Sequence, residues 1–135
     1  WDITFEELGK FLPNEDAKAA TKAKLDGFAA AYGTILFFED HDVVKGLQEQ
    51  FPSYADNFPL WSEQSTGIAS FAVWNALAEA GVGANIQHYN PVIYERVAKE
   101  WNIPTNLVLR AQMPFGEIVG EPAPIERTSR VRIVK

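Results

Sequence analysis

The chain of 135 residues is long enough for one core, and its 47% hydrophobic and 13% aromatic content excludes a disordered protein. A net charge of −6 disfavours a nucleic-acid partner, because phosphate binding depends on many Lys and Arg side chains. The lack of Cys excludes disulfides and thiolate catalysis. No apolar run reaches the ~20 residues of a membrane span. We therefore expect one domain over residues 1–135 in a cytoplasmic protein without membrane contact.

The first part of the chain has the apolar spacing and capping residues of helices around one apolar run. The predicted helices cover residues 3–12, residues 14–32 with Asn14 as N-cap, and a third segment from Asp40 or Asp42 to Phe51. Residues 34–39 (TILFFE) predict a strand buried on both faces.

Residues 51–61 (FPSYADNFPLW) contain four aromatic residues and two prolines. One interpretation is a loop that packs its rings into the core. The other is a pocket wall or a subunit contact, because aromatic loops also line small-molecule sites.

Residues 65–91 are predicted to form the central elements around which the rest of the chain is arranged. A long helix comes first, and its apolar surface is so wide that we expect protein to cover it on most sides. Gly81 and Gly83 end this helix, and residues 84–89 predict a strand. Asn90 and Pro91 then open a helix over residues 91–101. A polar strand end close to a helix start is a frequent position for a ligand.

The C-terminal part predicts a strand over residues 107–114, an irregular surface segment over residues 117–129, and a half-exposed strand over residues 130–135. With the preceding elements, this pattern gives a single domain of helices and strands.

The residues do not form a self-sufficient catalytic group. His41 is expected to be a solvated or capping residue, and His88 either a hydrogen-bonded structural histidine or part of a site. Sequence patterns such as HExxH, GxSxG, GxGxxG and GxxxxGK are absent. Glu63 and Glu79 would lie about 24 Å apart along one helix, too far for joint acid and base catalysis. The chain is therefore a binding or structural module, or it holds a cofactor that supplies the chemistry.

Three stretches of the chain resemble the nitroreductase family, in particular short members related to fatty-acid-repression and stress-induced nitroreductases. They are AAYGTILFFED, WSEQSTGIASFAVWNALAEAGVGANIQHYNP and LRAQMPFG. The resemblance implies an α+β fold with a mixed sheet flanked by helices, and a homodimer with FMN at the subunit interface. It also implies reduction of the flavin by NADH or NADPH, followed by ping-pong electron transfer to nitroaromatics, quinones or similar small molecules.

By position, the resemblance assigns Ile86, Gln87 and His88 to the reactive edge of the flavin. It assigns Arg130, and Arg127 as second choice, to the FMN phosphate. The aromatic segment matches a region that overhangs the flavin of the partner subunit, which makes the following residues candidate substrate contacts: Phe51, Tyr54, Phe58 and Trp61.

Family members carry an N-terminal segment with an Arg-Ser-x-Arg type motif that binds the phosphate and ribityl chain. The sequence starts at Trp1 without a match to this segment, so we expect part of the FMN contacts to be missing. The leading hypothesis is a homodimeric FMN-dependent oxidoreductase that lacks this segment. The alternative is a non-catalytic binding or regulatory module with the same fold.

Overall fold

The computed structural model describes residues 1–120, 123–128 and 130–134. The elements of this part of the chain are, in order, α1 (Asp2–Gly9), α2 (Glu15–Ala29), β1 (Gly33–Asp40), α3 (His41–Gln50), a 3₁₀-helix (Pro52–Asn57), α4 (Phe58–Glu79), β2 (Gly83–Ala84), α5 (Tyr94–Glu100) and β3 (Leu107–Gly116). The α+β class predicted from the sequence is confirmed. Among the described residues, no helix has both the length and the apolar character needed to cross a bilayer.

The predicted helix starts agree with side-chain caps at two helices. Asn14 Oδ1 accepts a hydrogen bond from the Ala17 amide at 2.8 Å and caps α2. Asp40 Oδ1 accepts one from the Asp42 amide at 2.9 Å, which makes Asp40 the cap of α3. These bonds satisfy amides that have no partner inside the helix.

The sheet has three strands in the order β1-β3-β2, and both pairings are antiparallel. The expectation of a mixed sheet is therefore wrong for the described residues. β1 and β2 run in the same direction, but β3 lies between them, so no neighbouring strands are parallel. Most residues of β1 are only half-buried, and its one buried residue is Glu39. The predicted burial on both faces is therefore wrong for the single chain, in which the elements packed on this strand cover its side chains only in part.

The strand predicted over residues 84–89 is mostly irregular, and only Gly83–Ala84 forms β2. The segment still follows β3, because Asn85 donates its amide to Pro114 O and Gln87 pairs with Gln112. Pro114 has no N–H to return to Asn85, which interrupts the ladder of hydrogen bonds. One proline in the central strand thus leaves an extended but open segment beside it.

A bulge in β3 falls at Arg110. Phe37 pairs with Ala111 and Phe38 with Leu109, so that Arg110 has no residue opposite it on β1. Such an extra residue breaks the alternation of side chains and redirects the bulged one. The structure directs Arg110 towards α4, where its guanidinium meets Glu63.

The core lies between the sheet and the helices α1 and α5. Ile93, Val97 and Leu109 are buried at its centre, with five partly buried residues around them: Ile3, Leu36, Phe38, Tyr89 and Tyr94. Because Leu109 precedes the bulge, its side chain keeps the orientation that packs against α5.

Three further expectations differ from the structure. Residues 51–61 are the 3₁₀-helix and the first turn of α4, not a loop. Helix α5 begins at Tyr94, since the amide of Tyr94 bonds to Pro91 O in a turn and Asn90 is not its cap. Residues 130–134 have no regular structure, and Lys135 lies outside the described residues. Both Val131 and Ile133 are at least 80% exposed there, so no core orders the alternating pattern.

Candidate functional site

The open segment beside β3 supplies backbone groups on one side of a cavity. The amides of Asn85 and Gln87 point towards β3 and donate to Pro114 O and Gln112 O. In an extended chain successive amides point in opposite directions, so those of Ile86 and His88 point away from β3. Of the three residues predicted at the flavin edge, Ile86 and His88 therefore offer backbone donors, while Gln87 uses its amide in the sheet.

A cavity of about 440 Å³ lies between this segment, β3 and α4. Ile86, His88 and Asn90 line one side of it, and α4 contributes Phe71 and Trp74. Asn90 Oδ1 is buried and has no hydrogen-bond partner. A buried oxygen without a partner is unfavourable by about 1–3 kcal/mol, so this atom is a locally unfavourable feature of the cavity wall and not one that a ligand in the cavity reaches.

His88 forms a structural hydrogen bond and also lines the cavity. Its Nδ1 lies 3.1 Å from Arg110 O. A carbonyl oxygen only accepts, so Nδ1 carries the hydrogen, and Nε2 of the neutral ring is left as an acceptor. The hydrogen-bonded histidine considered from the sequence is thus present, and it also lines the candidate site.

Helix α4 exposes several of its large apolar side chains and has one narrow stripe of less exposed positions. The buried or half-buried positions follow one stripe: Phe58, Ser62, Thr66, Ser70, Val73 and Leu77. By contrast, Ile68 is 70% exposed, Phe71 67% and Trp74 37%. The prediction that protein covers this helix on most sides is wrong for the single chain. An exposed apolar surface of this kind is typical of an interaction site.

Arg110 is the centre of a charged cluster between β1, β3 and α4. Its Nε donates to Glu39 Oε2 at 2.8 Å, and its Nη2 contacts both Glu39 and, at 2.8 Å, Glu63 Oε1. His41 Nε2 lies 3.1 Å from Glu39 Oε2. Since a carboxylate only accepts, this nitrogen of His41 carries a hydrogen. His41 is therefore partly solvated, as expected, and also hydrogen-bonded to a buried carboxylate.

The charge of Glu39 is maintained inside the protein by its neighbours. Burial alone would raise the pKa of Glu39, but hydrogen bonds from Ser62 and Arg110 and the positive charge of Arg110 hold it below its ordinary value. Glu39 is therefore a carboxylate at neutral pH and fixes the position of the Arg110 guanidinium.

The four predicted substrate contacts form one aromatic group at the start of α4. Ring centroids are 6.3 Å apart for Phe51 and Phe58, 6.1 Å for Tyr54 and Trp61, and 5.4 Å for Phe58 and Trp61. None of the four lines the cavity beside Ile86 and His88 among the described residues. Within one chain the aromatic group and the candidate flavin edge are therefore separate.

The two predicted phosphate contacts lie in the irregular C-terminal segment. Arg127 and Arg130 are both exposed, and neither lines the cavity beside His88 in the part of the chain that the structure describes. Their role in phosphate binding stays a prediction.

The chain is similar in sequence to known proteins. A sequence model described as the nitroreductase family matches residues 4–117. The chain belongs to the nitroreductase family. It is 33% identical over 128 residues to the nitroreductase FRM2 of Saccharomyces cerevisiae, and this match covers 95% of the chain and 61% of FRM2. The chain thus spans less than two thirds of that relative.

Solved nitroreductase structures share the fold. Nitroreductase CinD from Lactococcus lactis, in complex with chloramphenicol, has a TM-score of 0.87 and 53% identity over 99% of this chain and 68% of CinD. The complex of CinD with nicotinic acid has a TM-score of 0.80 and 53% identity over 97% of this chain and 72% of CinD. These matches confirm the predicted nitroreductase fold.

In this nitroreductase chain, Ile86 and His88 line the cavity and their role at a flavin stays a prediction, while two other features of this region were not predicted from the sequence. One is Arg110 with Glu39, and the other is the buried Asn90 oxygen. A signal for the first was present, because TILFFE and LVLRAQM each place one charged residue in an apolar run. Opposite charges in two predicted strands suggest a buried pair. No sequence pattern indicated that Asn90 would be left without a partner.

Proposed function

We propose that the protein is a cytoplasmic, homodimeric FMN-dependent oxidoreductase that uses NADH or NADPH to reduce nitroaromatics, quinones or similar acceptors. The observation that carries this proposal is the similarity to CinD over 99% of the chain, which includes the open segment and the cavity beside it. When bound, FMN would take a hydride from the nicotinamide and pass two electrons to the acceptor in a separate step.

The residues of the cavity fit a planar group that has both donors and acceptors. The outward amides of Ile86 and His88 would donate to the oxygen and nitrogen atoms of the flavin ring. The Asn90 side chain would border the same edge of the ring. Arg130, with Arg127 as second choice, would bind the phosphate, for which a guanidinium is well suited. These contacts orient the ring and exclude water from one of its sides.

The outward face of α4 supports the homodimer. Ile68, Phe71 and Trp74 form an apolar surface along two turns of the helix. A second copy that packs on this face would bury it and complete the cavity, which α4 already borders through Phe71 and Trp74. The aromatic group from Phe51 to Trp61 would then reach over the flavin of the partner.

The solved complexes of CinD support the class of substrate. That protein has been solved with chloramphenicol and with nicotinic acid. We propose that small aromatic molecules likewise enter the cavity of this chain beside His88, where the side chains of Phe71 and Trp74 offer apolar contacts.

The first test is titration of the 135-residue chain with FMN, followed by the flavin absorbance and by quenching of flavin fluorescence. Arg130→Ala is expected to weaken FMN binding by about 1.5–3 kcal/mol, the range for a hydrogen bond to a charged group. Arg132→Ala is the matched control, because it removes a guanidinium from the same exposed segment. No FMN binding by the chain, even when an N-terminal segment of the family type is supplied, would contradict the proposal, and equal effects of both variants would contradict the role of Arg130.

The second test measures oxidation of NADH and of NADPH by the FMN-loaded protein, with and without a nitroaromatic acceptor. Oxidation that depends on the acceptor, with parallel lines in a double-reciprocal plot, is expected for a ping-pong reaction. FMN binding without oxidation of either nucleotide would instead favour the non-catalytic module.

A further inference from the structure

Arg110 lies between two cavities, and this position suggests a use for its charge. The first cavity, of about 440 Å³, is the one beside His88. The second cavity, of about 380 Å³, lies between α3 and α4 and is lined by His41 and Lys45. Arg110 and Glu63 line both cavities. The ion pair between them therefore forms the wall that a ligand in either cavity would touch.

The two carboxylates that contact Arg110 are held very differently. The side chain of Glu39 is 4% exposed, whereas that of Glu63 is 48% exposed. Removing the partner of a buried carboxylate is costly, so Glu39 holds the guanidinium in place. An ion pair with a half-exposed partner contributes little, because water and salt compete with it. Glu63 is thus the partner that another anion can replace.

The net charge around the guanidinium goes from zero to positive when Glu63 is displaced. With both carboxylates in contact, Glu39 and Glu63 balance Arg110 and Lys45. Without Glu63, the remaining charges of Glu39, Arg110 and Lys45 leave a net positive site. Arg110 Nη1 takes part in neither of the contacts with Glu39 and Glu63, so it is a further donor for a ligand. Two neighbouring N–H groups of a guanidinium match the two oxygens of a carboxylate.

We propose that Arg110 binds the carboxylate of an aromatic ligand, and that Glu63 competes with this carboxylate for the guanidinium. The ring of the ligand lies in the cavity beside His88, against Phe71 and Trp74. This inference rests on the proposed function in taking that cavity as the acceptor site. Arg110 then selects acidic aromatic acceptors over neutral ones, and Glu63 sets how strong that preference is.

Binding of 4-fluorobenzoate and of its neutral counterpart 4-fluorobenzamide, followed by ¹⁹F NMR, tests the proposal without any redox step. The wild-type chain is expected to bind the carboxylate more tightly than the amide. Glu63→Gln is expected to strengthen carboxylate binding by up to about fivefold, because it removes a weak competitor, and to leave amide binding unchanged. Glu79→Gln is the matched control, since it neutralises an exposed carboxylate at the far end of α4.

Removal of the guanidinium is the complementary change. Arg110→Gln alone would leave Glu39 buried without its partner, so the variant is combined with Glu39→Gln. This double variant is expected to lose at least about tenfold in affinity for 4-fluorobenzoate and little for the amide. Circular dichroism checks that it is folded, and Glu63→Gln tests the same idea without disturbing a buried group.

Different results separate this inference from the proposed function. If Glu63→Gln prefers 4-fluorobenzoate over 4-fluorobenzamide more strongly than the wild type does, the role of Arg110 is supported even if the chain fails to bind FMN. Equal affinities for the acid and the amide, or no difference between Glu63→Gln and Glu79→Gln, would overturn it even if the chain binds FMN and oxidises NADH. A double variant that loses FMN affinity while 4-fluorobenzoate binding stays the same would also overturn it.

Discussion

Substitution of Phe71 by Ser tests whether a second copy covers α4. Full burial of a Phe side chain contributes about 1.5–3 kcal/mol. Because 67% of Phe71 is exposed in the single chain, covering it in a dimer contributes about 1–2 kcal/mol. In a twofold dimer the substitution occurs twice, so the free energy of dimerisation weakens by about 2–4 kcal/mol. This corresponds to a dissociation constant that rises by about 30-fold to 1,000-fold.

Sedimentation equilibrium over a range of protein concentrations gives the dissociation constants of the wild type and the variant. Phe11→Ser is the matched control, since Phe11 is 74% exposed but lies outside α4. Both variants are expected to keep the helical circular dichroism signal, because neither ring is buried within the chain. If the wild type stays monomeric at all concentrations, or if the two variants dimerise equally well, the reasoning about α4 is refuted.

Four further substitutions test the core, two glycines and the buried charge. Leu109→Ala is expected to lower the free energy of unfolding by about 2–5 kcal/mol in urea titrations, and a loss below 1 kcal/mol would contradict the central place of Leu109. Gly116→Ala should destabilise the protein in the same assay, because the added Cβ would lie 3.0 Å from the Tyr32 backbone nitrogen. Gly46→Ala should instead stabilise the protein by about 0.5–1 kcal/mol, because Gly46 lies inside α3 and its Cβ would point into open space. The folded pKa of Glu39 lies below its ordinary value of 4.5, so its charge stabilises the fold above this pH, and this stabilisation is lost as the pH falls through the folded value. Glu39→Gln should therefore be less stable at pH 7 but lose less stability than the wild type on acidification below pH 4.5, and an equal loss would contradict the assignment.

Local signals in the sequence predicted much of the fold. The caps of α2 and α3 and the run of β1 depend on neighbouring residues, and the structure has these elements close to the predicted positions. The failures have long-range causes. Pro114 interrupts a ladder with a segment about thirty residues earlier, and this effect appears only when the two segments are paired.

The site was harder to predict than the fold, because it depends on groups that are distant in sequence. Arg110, Glu39 and Glu63 come from β3, β1 and α4, and the bulge that brings them together is a property of strand pairing. Helix α4 shows a different limit of prediction from the sequence. Its composition predicts coverage by protein, but composition alone does not tell whether the same chain or another one supplies that cover.

The bulge at Arg110 also affects how the sheet behaves towards other chains. β1 is an edge strand of the described sheet, and its sequence TILFFE has no proline to block the addition of another strand. A bulge in the neighbouring strand increases the local twist, and twisted edges add further strands less readily than flat ones. We therefore expect the bulge that places Arg110 in the charged cluster to make this edge a poorer template for another strand as well.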